Sequence, residues 1–423
     1  MQLISSDPPR AQTSAPSRWR GIAIVLALMI SAAAPLWHLH IINRQMPSSH
    51  SDLVDEWVAV RDALHGKDPY SADVTRDIQI VYYGRPLTAA DQVPDQAFPY
   101  PAYLVIPFAP LAPLSWETVR LTYLLIIAPL LLLSFLLCAR FVDPTISPRR
   151  MASIVFLAFC SWPVMWGLRL QQPTLLVAAL TLSGCFLLSR ERGFSAGILL
   201  AFATIKPQLV LPLLLWLLFW ACLSRMWSFL ASFAFTMALL LLWTEKLVPG
   251  WFSNWVVALH GYGHSHGTLP LENVFGHWLG LASTALLVAY TAFLLWRLRR
   301  SPARSPEFAL AVALAMATAV CTTLTILPVI YNQILLLPAC LILVHTQSAE
   351  YYPALARRIA LAVLVWGYAA IYIAVLGESM FASLPLWASL PFQNVLFPVL
   401  VTIALVVRES LNKPVPLKGE LVC

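Results

Sequence analysis

Apolar runs of membrane-spanning length recur from one end of this chain to the other, and that repetition fixes more of its fold than any single motif. A run of 18 or more apolar residues is long enough to cross the hydrocarbon core of a bilayer as a helix. With 423 residues, 59% of them apolar, 11% charged and a mean hydropathy of +0.74, little is left over for a soluble domain of ordinary size. The expected class is therefore all-α, a polytopic integral membrane protein. The expected spans are 21–37, 118–139, 151–167, 173–189, 194–205, 208–222, 226–243, 279–296, 307–327, 332–346, 359–376 and 393–407, about 12 helices. Residues 1–20, polar and rich in Pro and Ser, read as a disordered cytoplasmic arm, 21–407 as the transmembrane domain, and 408–423 as a cytoplasmic tail.

Charge orients the bundle. With the N-terminus inside, eighteen of the 27 basic residues fall in inside segments, among them Arg140, Arg149, Arg150, Arg190, Arg192, Arg225, Arg297 and Arg300. Lys and Arg concentrate in cytoplasmic loops, so the long segment 38–102 lies outside. The same placement explains the net charge of +7 without a nucleic-acid partner. The seven cysteines are dispersed, in no metal-ligand or redox spacing, and read as small core residues. Glycines form no phosphate-binding loop of the soluble nucleotide type, and no Asp-x-Asp pair is present to chelate a nucleotide-sugar metal.

Two short segments do not fit plain spans. Residues 102–114 are apolar but carry Pro107, Pro110 and Pro113, which suits an interfacial or re-entrant piece. Residues 194–222 are apolar except around Lys206-Pro207-Gln208 and have arginines at both ends, which predicts a hairpin of two short helices with Lys206 at its tip.

Polar residues then collect on the outer side. The 38–102 loop carries nine of the twenty acidic side chains, beginning with Asp52, Asp55 and Glu56. Asp52 and Asp55 stand at helical spacing on one face, and a carboxylate there could take a proton from an attacking hydroxyl. The plain alternative is that any outer loop carries solvated acids. Lys206 in an apolar hairpin costs about 2.5–3.5 kcal/mol to insert, which points to a cation holding a lipid phosphate or, more blandly, to a lysine that snorkels or pairs with an acid. Arg169 and Gln172 sit at an outer turn where a guanidinium and an amide could hydrogen-bond sugar or phosphate, or simply form a polar turn. The outer segment 244–278 adds Trp251, Trp255, Asn273 and several histidines. Those aromatics suit carbohydrate stacking, although Trp and Tyr also gather at membrane interfaces. His264 and His266, two apart and without nearby acid or cysteine, make a weak metal signal. Asn332 and Gln333 close the outer set at the start of the tenth span.

Several of these residues form a familiar pattern. Asp52, Trp57, Arg61, Gly66 and Asp68-Pro69-Tyr70, then Phe98-Pro99-Tyr100-Pro101 with Pro107 and Pro110, then Arg190-Glu191-Arg192-Gly193, Ala196-Gly197 and Lys206-Pro207, together resemble glycosyltransferase family 87 over about residues 20–345. This is the polyprenol-phosphate-mannose-dependent α-mannosyltransferase family of the GT-C superfamily. The resemblance implies a GT-C-type helical bundle, a polyprenyl-phosphate sugar donor and Asp52 as catalytic base; taken with the outer polar residues, the expected substrate-binding set is Lys206, Arg169, Gln172, Tyr100, Asn332 and Asn273, and the expected acceptor a glycolipid or glycan. It implies neither metal nor organic cofactor, because a lipid monophosphate leaving group can be neutralised by the cations alone. The chain departs from the pattern at Gln171-Gln172, where Gly-Gln is common, and at Asn332, where many members have His or Asp. Asn332 can orient a group but cannot take a proton.

The expected activity is an inverting transfer of a hexose, mannose first among them, at the outer face of a cell inner membrane. A transporter or flippase for lipid-linked or amphipathic substrates is the rival from another class. Such proteins show paired broken helices in repeated halves, and no second half mirrors the 194–222 hairpin. A non-catalytic scaffold would leave Lys206 and the loop acids without a reason to share a face.

Overall fold

A computed structural model describes residues 46–88, 90–91, 96–266, 269–323, 329–348, 352–380 and 390–411, together with 29, 32–33, 36–37 and 39–44. The expected N-terminal arm, most of the expected first span and the end of the tail, 412–423, lie outside these residues. Among the described residues the secondary structure is helical, with no strand.

The outer segment is folded rather than extended. It forms α1 (Leu53–Leu64) and α2 (Ala72–Tyr83). Ten of the twelve residues of α1 are buried, the charged Asp55, Glu56 and Asp62 among them. Ser71 caps α2, accepting from the Val74 amide, and Gly84 ends it at φ 77, a left-handed turn that glycine adopts without a Cβ clash. The proline-rich stretch 102–111 winds as three single-turn helical pieces, too interrupted to be one helix.

The bundle itself begins with α3 (Trp116–Val142), α4 (Pro148–Phe159), α5 (Trp162–Leu170), α6 (Pro173–Ser189), α7 (Gly193–Ala203), α8 (Pro207–Leu223) and α9 (Trp227–Leu247). It continues with α10 (Trp251–His266), α11 (Pro270–Phe275), α12 (His277–Arg297) and α13 (Pro306–Thr322). A 3₁₀ stretch, Ile330–Leu336, leads into α14 (Leu337–Ser348), then α15 (Ala354–Met380) and α16 (Leu390–Leu411). The segment expected as an outer loop at 244–278 is largely helix, taken up by the end of α9, by α10 and by α11.

Among the described residues, four helical stretches are long and apolar enough by length and composition to cross a membrane: α3, α9, α12 and Ile330–Gln347. A fifth arises if α4 and α5 together make one span, bent by 52°. The single helix expected at 151–167 is thus two pieces. Cys160 closes α4, Ser161 turns extended at ψ 148, and Pro163 stands in the first turn of α5, where its missing N–H costs no hydrogen bond. Shorter apolar helices are α6, α8 and α13 at 17 residues and α7 at 11, while α15 and α16 run 27 and 22 residues.

At the centre stands α13. Every residue from Phe308 to Cys321 is buried, so this helix is apolar all round rather than striped. Its alternating alanines let α8, α12, α14 and α16 approach it closely. On the other flank α7 lies between α6 and α9, with the glycine side of α7 against α9. The tight packing on both flanks delivers the loops at one end of the bundle, those around residues 52, 100, 172, 206 and 332, to one place.

Candidate active site

Three helix starts meet at this end of the bundle. Asp52 is the residue before α1, Gln172 the residue before α6, and Lys206 the residue before α8. Pro173 and Pro207 follow as first helical residues, where proline is pre-shaped for the turn. Gln171, just ahead, adopts φ 50, a left-handed conformation that reverses the chain between α5 and α6. That reversal points Gln172 back into the protein, where it is 2% exposed.

The strand of chain leading to Asp52 is fastened to the same reversal. The Asp52 amide donates to the Leu170 carbonyl at 3.1 Å. The Ser51 hydroxyl donates to the Leu170 carbonyl at 2.9 Å and to Gln171 Oε1 at 2.6 Å. Arg169 donates to the carbonyls of His50 at 3.2 Å and Pro47 at 3.5 Å. Arg169 therefore spends its guanidinium on the backbone behind Asp52, with its Nε buried and unpartnered.

Gln172 joins the charged groups. Its Nε2 donates to the Asp52 carboxylate and to the Tyr331 hydroxyl, the latter at 2.9 Å. Its Oε1 accepts from Lys206 Nζ at 2.7 Å. Lys206 Nζ also donates to Thr174 Oγ1 at 2.8 Å, and Thr174 Oγ1 reaches Asn332 Oδ1 at 3.2 Å. Above and below the ammonium lie the rings of Tyr100 and Tyr331, with centroids 5.5 and 5.2 Å from Nζ. Such placement adds cation–π attraction to the hydrogen bonds and makes burial of the lysine tolerable. Lys206 does not snorkel.

The centre is electrostatically one unit. Burial raises the pKa of Asp52 above its usual range, while the bonds from Gln172 and Tyr331 and the charges of Lys206 and Arg169 pull the other way. Asp52 itself remains partly exposed.

Of the residues singled out in the sequence, Asp52, Gln172, Lys206, Asn332 and Tyr100 come together, and Arg169 lies just behind them. Asn273 falls in α11, and its side chain, like those of His264 and His266, is outside the described residues. Trp251 and Trp255 sit apart from the charged centre and support it. Trp251 packs edge-on against Tyr103 at 5.8 Å, and Trp255 Nε1 donates to the Pro99 carbonyl at 3.1 Å. Asn254 donates to Asp68 at 2.9 Å, which fixes α10 to the outer segment. Sequence reasoning passed over Tyr331, Thr174 and Glu56. Tyr331 adjoins Asn332, Thr174 lies two residues after Gln172, and Glu56 stands four residues after Asp52, one helical turn away.

The structure is thus a bundle of apolar helices with a carboxylate, an amide and an ammonium gathered at one end. The sequence model of glycosyltransferase family 87 matches residues 98–328, more than half of the chain. The protein belongs to that family and is a membrane glycosyltransferase. No curated protein and no solved structure matches the chain. Tyr100, Arg169, Gln172, Lys206 and Asn273 fall within the matched segment, whereas Asp52 precedes it and Asn332 follows it.

Proposed function

We propose that the enzyme transfers a hexose, mannose first among the candidates, from a polyprenyl-phosphate donor to a hydroxyl of a glycolipid or glycan at the outer face of the cell inner membrane. The bundle would be of GT-C type, with about twelve crossings once its shorter apolar helices are counted in. The observation that carries this reading is the single amide of Gln172, which binds the Asp52 carboxylate with one atom and the Lys206 ammonium with the other. A carboxylate and an ammonium are thereby held one amide apart, which supports a site where one group takes the acceptor's proton and the other faces the departing phosphate.

In the proposed step the acceptor oxygen attacks the anomeric carbon and loses its proton to Asp52. The bond from that carbon to the phosphate oxygen breaks with its electron pair, and Lys206 stabilises the charge that builds on the polyprenyl phosphate. One displacement inverts the configuration. Arg169 positions Asp52 through the 47–50 backbone and adds positive potential behind it, while Asn332 and Tyr100 orient substrate beside the ammonium. An apolar cavity of about 370 Å³ is lined in part by Phe135, Trp162, Ile334, Leu337, Leu364 and Phe397, with Gln333, the chain neighbour of Asn332, on its wall. Its apolar lining suits a donor with an isoprenoid chain.

The test is transfer from labelled polyprenyl-phosphate mannose into a lipid extract by membranes carrying the wild type, Asp52→Asn or Asp55→Asn. Losing a positioned base costs on the order of 10² to 10⁴ in rate, so Asp52→Asn should nearly abolish transfer and Asp55→Asn should retain most of it. Equal losses in the two variants would remove Asp52 from the role of base.

A further inference from the structure

Glu56 is 0% exposed, and neither of its carboxylate oxygens has a hydrogen-bond partner at normal geometry. Its own backbone amide and the Tyr100 phenol approach without closing such a bond. A buried ion without bonds of its own costs several kcal/mol even after relaxation, which makes the neutral acid the favoured form. The surroundings strengthen that preference. Glu56 stands one turn after Asp52 on the same face of α1, with Asp55 beside it in the chain. It is faced by Asp52 on its own helix, Lys206 at the head of α8, Tyr100 before the 102–111 turns and Tyr123 on α3. Burial first, and then the charge of Asp52, push its pKa up to about 8.

Two carboxylates therefore share a site with one ammonium, and the three are neutral together when one proton stays on the carboxylates. The hydrogen bonds decide which oxygen carries it. Asp52 accepts from Gln172 and from Tyr331, bonds that reward the ionised form, and Glu56 has no comparable bond. We propose that Asp52 and Glu56 work as a carboxylate pair holding one proton between them, with Glu56 the protonated, positioning member that keeps Asp52 ionised for attack. This rests on the reading of Asp52 as the base.

The proton inventory closes over a turnover. The pair starts with its proton on Glu56. Asp52 takes the acceptor's proton as the new carbon–oxygen bond forms and the phosphate leaves with its electron pair. The pair then holds two protons and returns one to water through Asp52, the partly exposed member. Above about pH 8 a second negative charge on Glu56 would face Lys206 and oppose the charge building on the phosphate. Transfer is thus supported below that pH and lost above it.

Two measurements test the pair. The first is the pH profile of kcat in purified protein: the wild type should show an alkaline fall, and Glu56→Gln, which cannot ionise, should move that fall up by at least about one pH unit while lowering transfer at neutral pH by less than about tenfold. An unmoved fall would assign the alkaline limb to another group, Lys206 first, and a folded but inactive Glu56→Gln would show that a neutral amide cannot replace the acid. Either result overturns the proposal. The second needs no activity. Infrared difference spectra of the wild type between about pH 6.5 and about pH 9.5 should show a carboxylic-acid C=O band that disappears as pH rises. The band should titrate at lower pH in Asp52→Asn, where the neighbouring charge is gone. No such band in the wild type, or no movement in Asp52→Asn, would sink the proposal whether or not Asp52 is the base, and retention of transfer by Asp52→Asn would instead sink the base assignment alone.

Discussion

Lys206 shows what one residue does for this site. On the sequence it is a costly charge in an apolar hairpin, and burying it without partners would favour the neutral amine. In the folded protein Gln172 and Thr174 accept hydrogen bonds from it and two tyrosine rings lie beside it, so the cost is met by contacts that also set where the charge points. Lys206→Met removes the charge and leaves Gln172 Oε1 and Thr174 Oγ1 without their donor. It should therefore lower stability by about 1–3 kcal/mol, visible as a lower thermal midpoint. Donor titration on purified protein should then give a KM for donor raised by about tenfold or more, with partial retention in Lys206→Arg, whose planar fork keeps the charge but not the compact geometry. An unchanged donor dependence in a well-expressed Lys206→Met would show that the ammonium serves the fold and not the phosphate. The nearness of Lys206 to Asp52 was legible only as a shared membrane face. Glu56 was not legible as part of the site, because an acid in a charged outer segment reads as solvated until α1 is seen to be buried along most of its length.

The elements that carry these residues depend on close backbone contact. Gly193 and Gly197, one turn apart, face α9, and a Cβ built on Gly197 would meet the Phe229 carbonyl oxygen at 2.7 Å and the Phe233 amide at 2.8 Å. These are backbone atoms and cannot swing aside. Spacing of this kind lets two helices in a membrane pack without large side chains between them. α7 ends three residues before Lys206, so a displaced α7 carries the ammonium away from Gln172. Gly197→Val should lower the thermal midpoint and the transfer rate together, whereas Phe194→Val, at an exposed position on the same helix, should alter neither appreciably. Full activity in Gly197→Val would uncouple the α7–α9 contact from the site. The division of 194–222 into two short helices at Lys206 was readable, since one internal Lys-Pro interrupts an otherwise apolar run. The break between α4 and α5 was not, because an apolar run conceals a turn whose cause is the pairing of an extended Ser161 with Pro163 in the first turn of the next helix.

Across the whole molecule, the two ends of the bundle differ in kind. At one end, opposite charges and backbone carbonyls tie together segments rich in arginine. Arg304 lies 3.3 Å from Glu191, and Arg150 reaches the Val344 carbonyl at 3.5 Å. Trp220 donates to the Ser301 carbonyl at 2.9 Å, which closes the same end. At the other end sit α1, α2, α10 and the Asp52 centre. The chain was legible at this scale, because hydropathy and the lopsided arginines report a multi-pass bundle and its two faces without any contact being known. Topology is the prediction that follows, since Lys and Arg mark the cytoplasmic side. Single cysteines at Asp73, Arg149 and Arg300, all exposed positions, would be introduced where the exposed native Cys222 and the terminal Cys423 have been replaced. A membrane-impermeant thiol reagent applied to sealed cells should label the probe at Asp73, and those at Arg149 and Arg300 only after permeabilisation. Labelling at Arg300 in sealed cells would invert the bundle, place Asp52 in the cytosol beside soluble nucleotide sugars, and remove the reason for a lipid-carried donor.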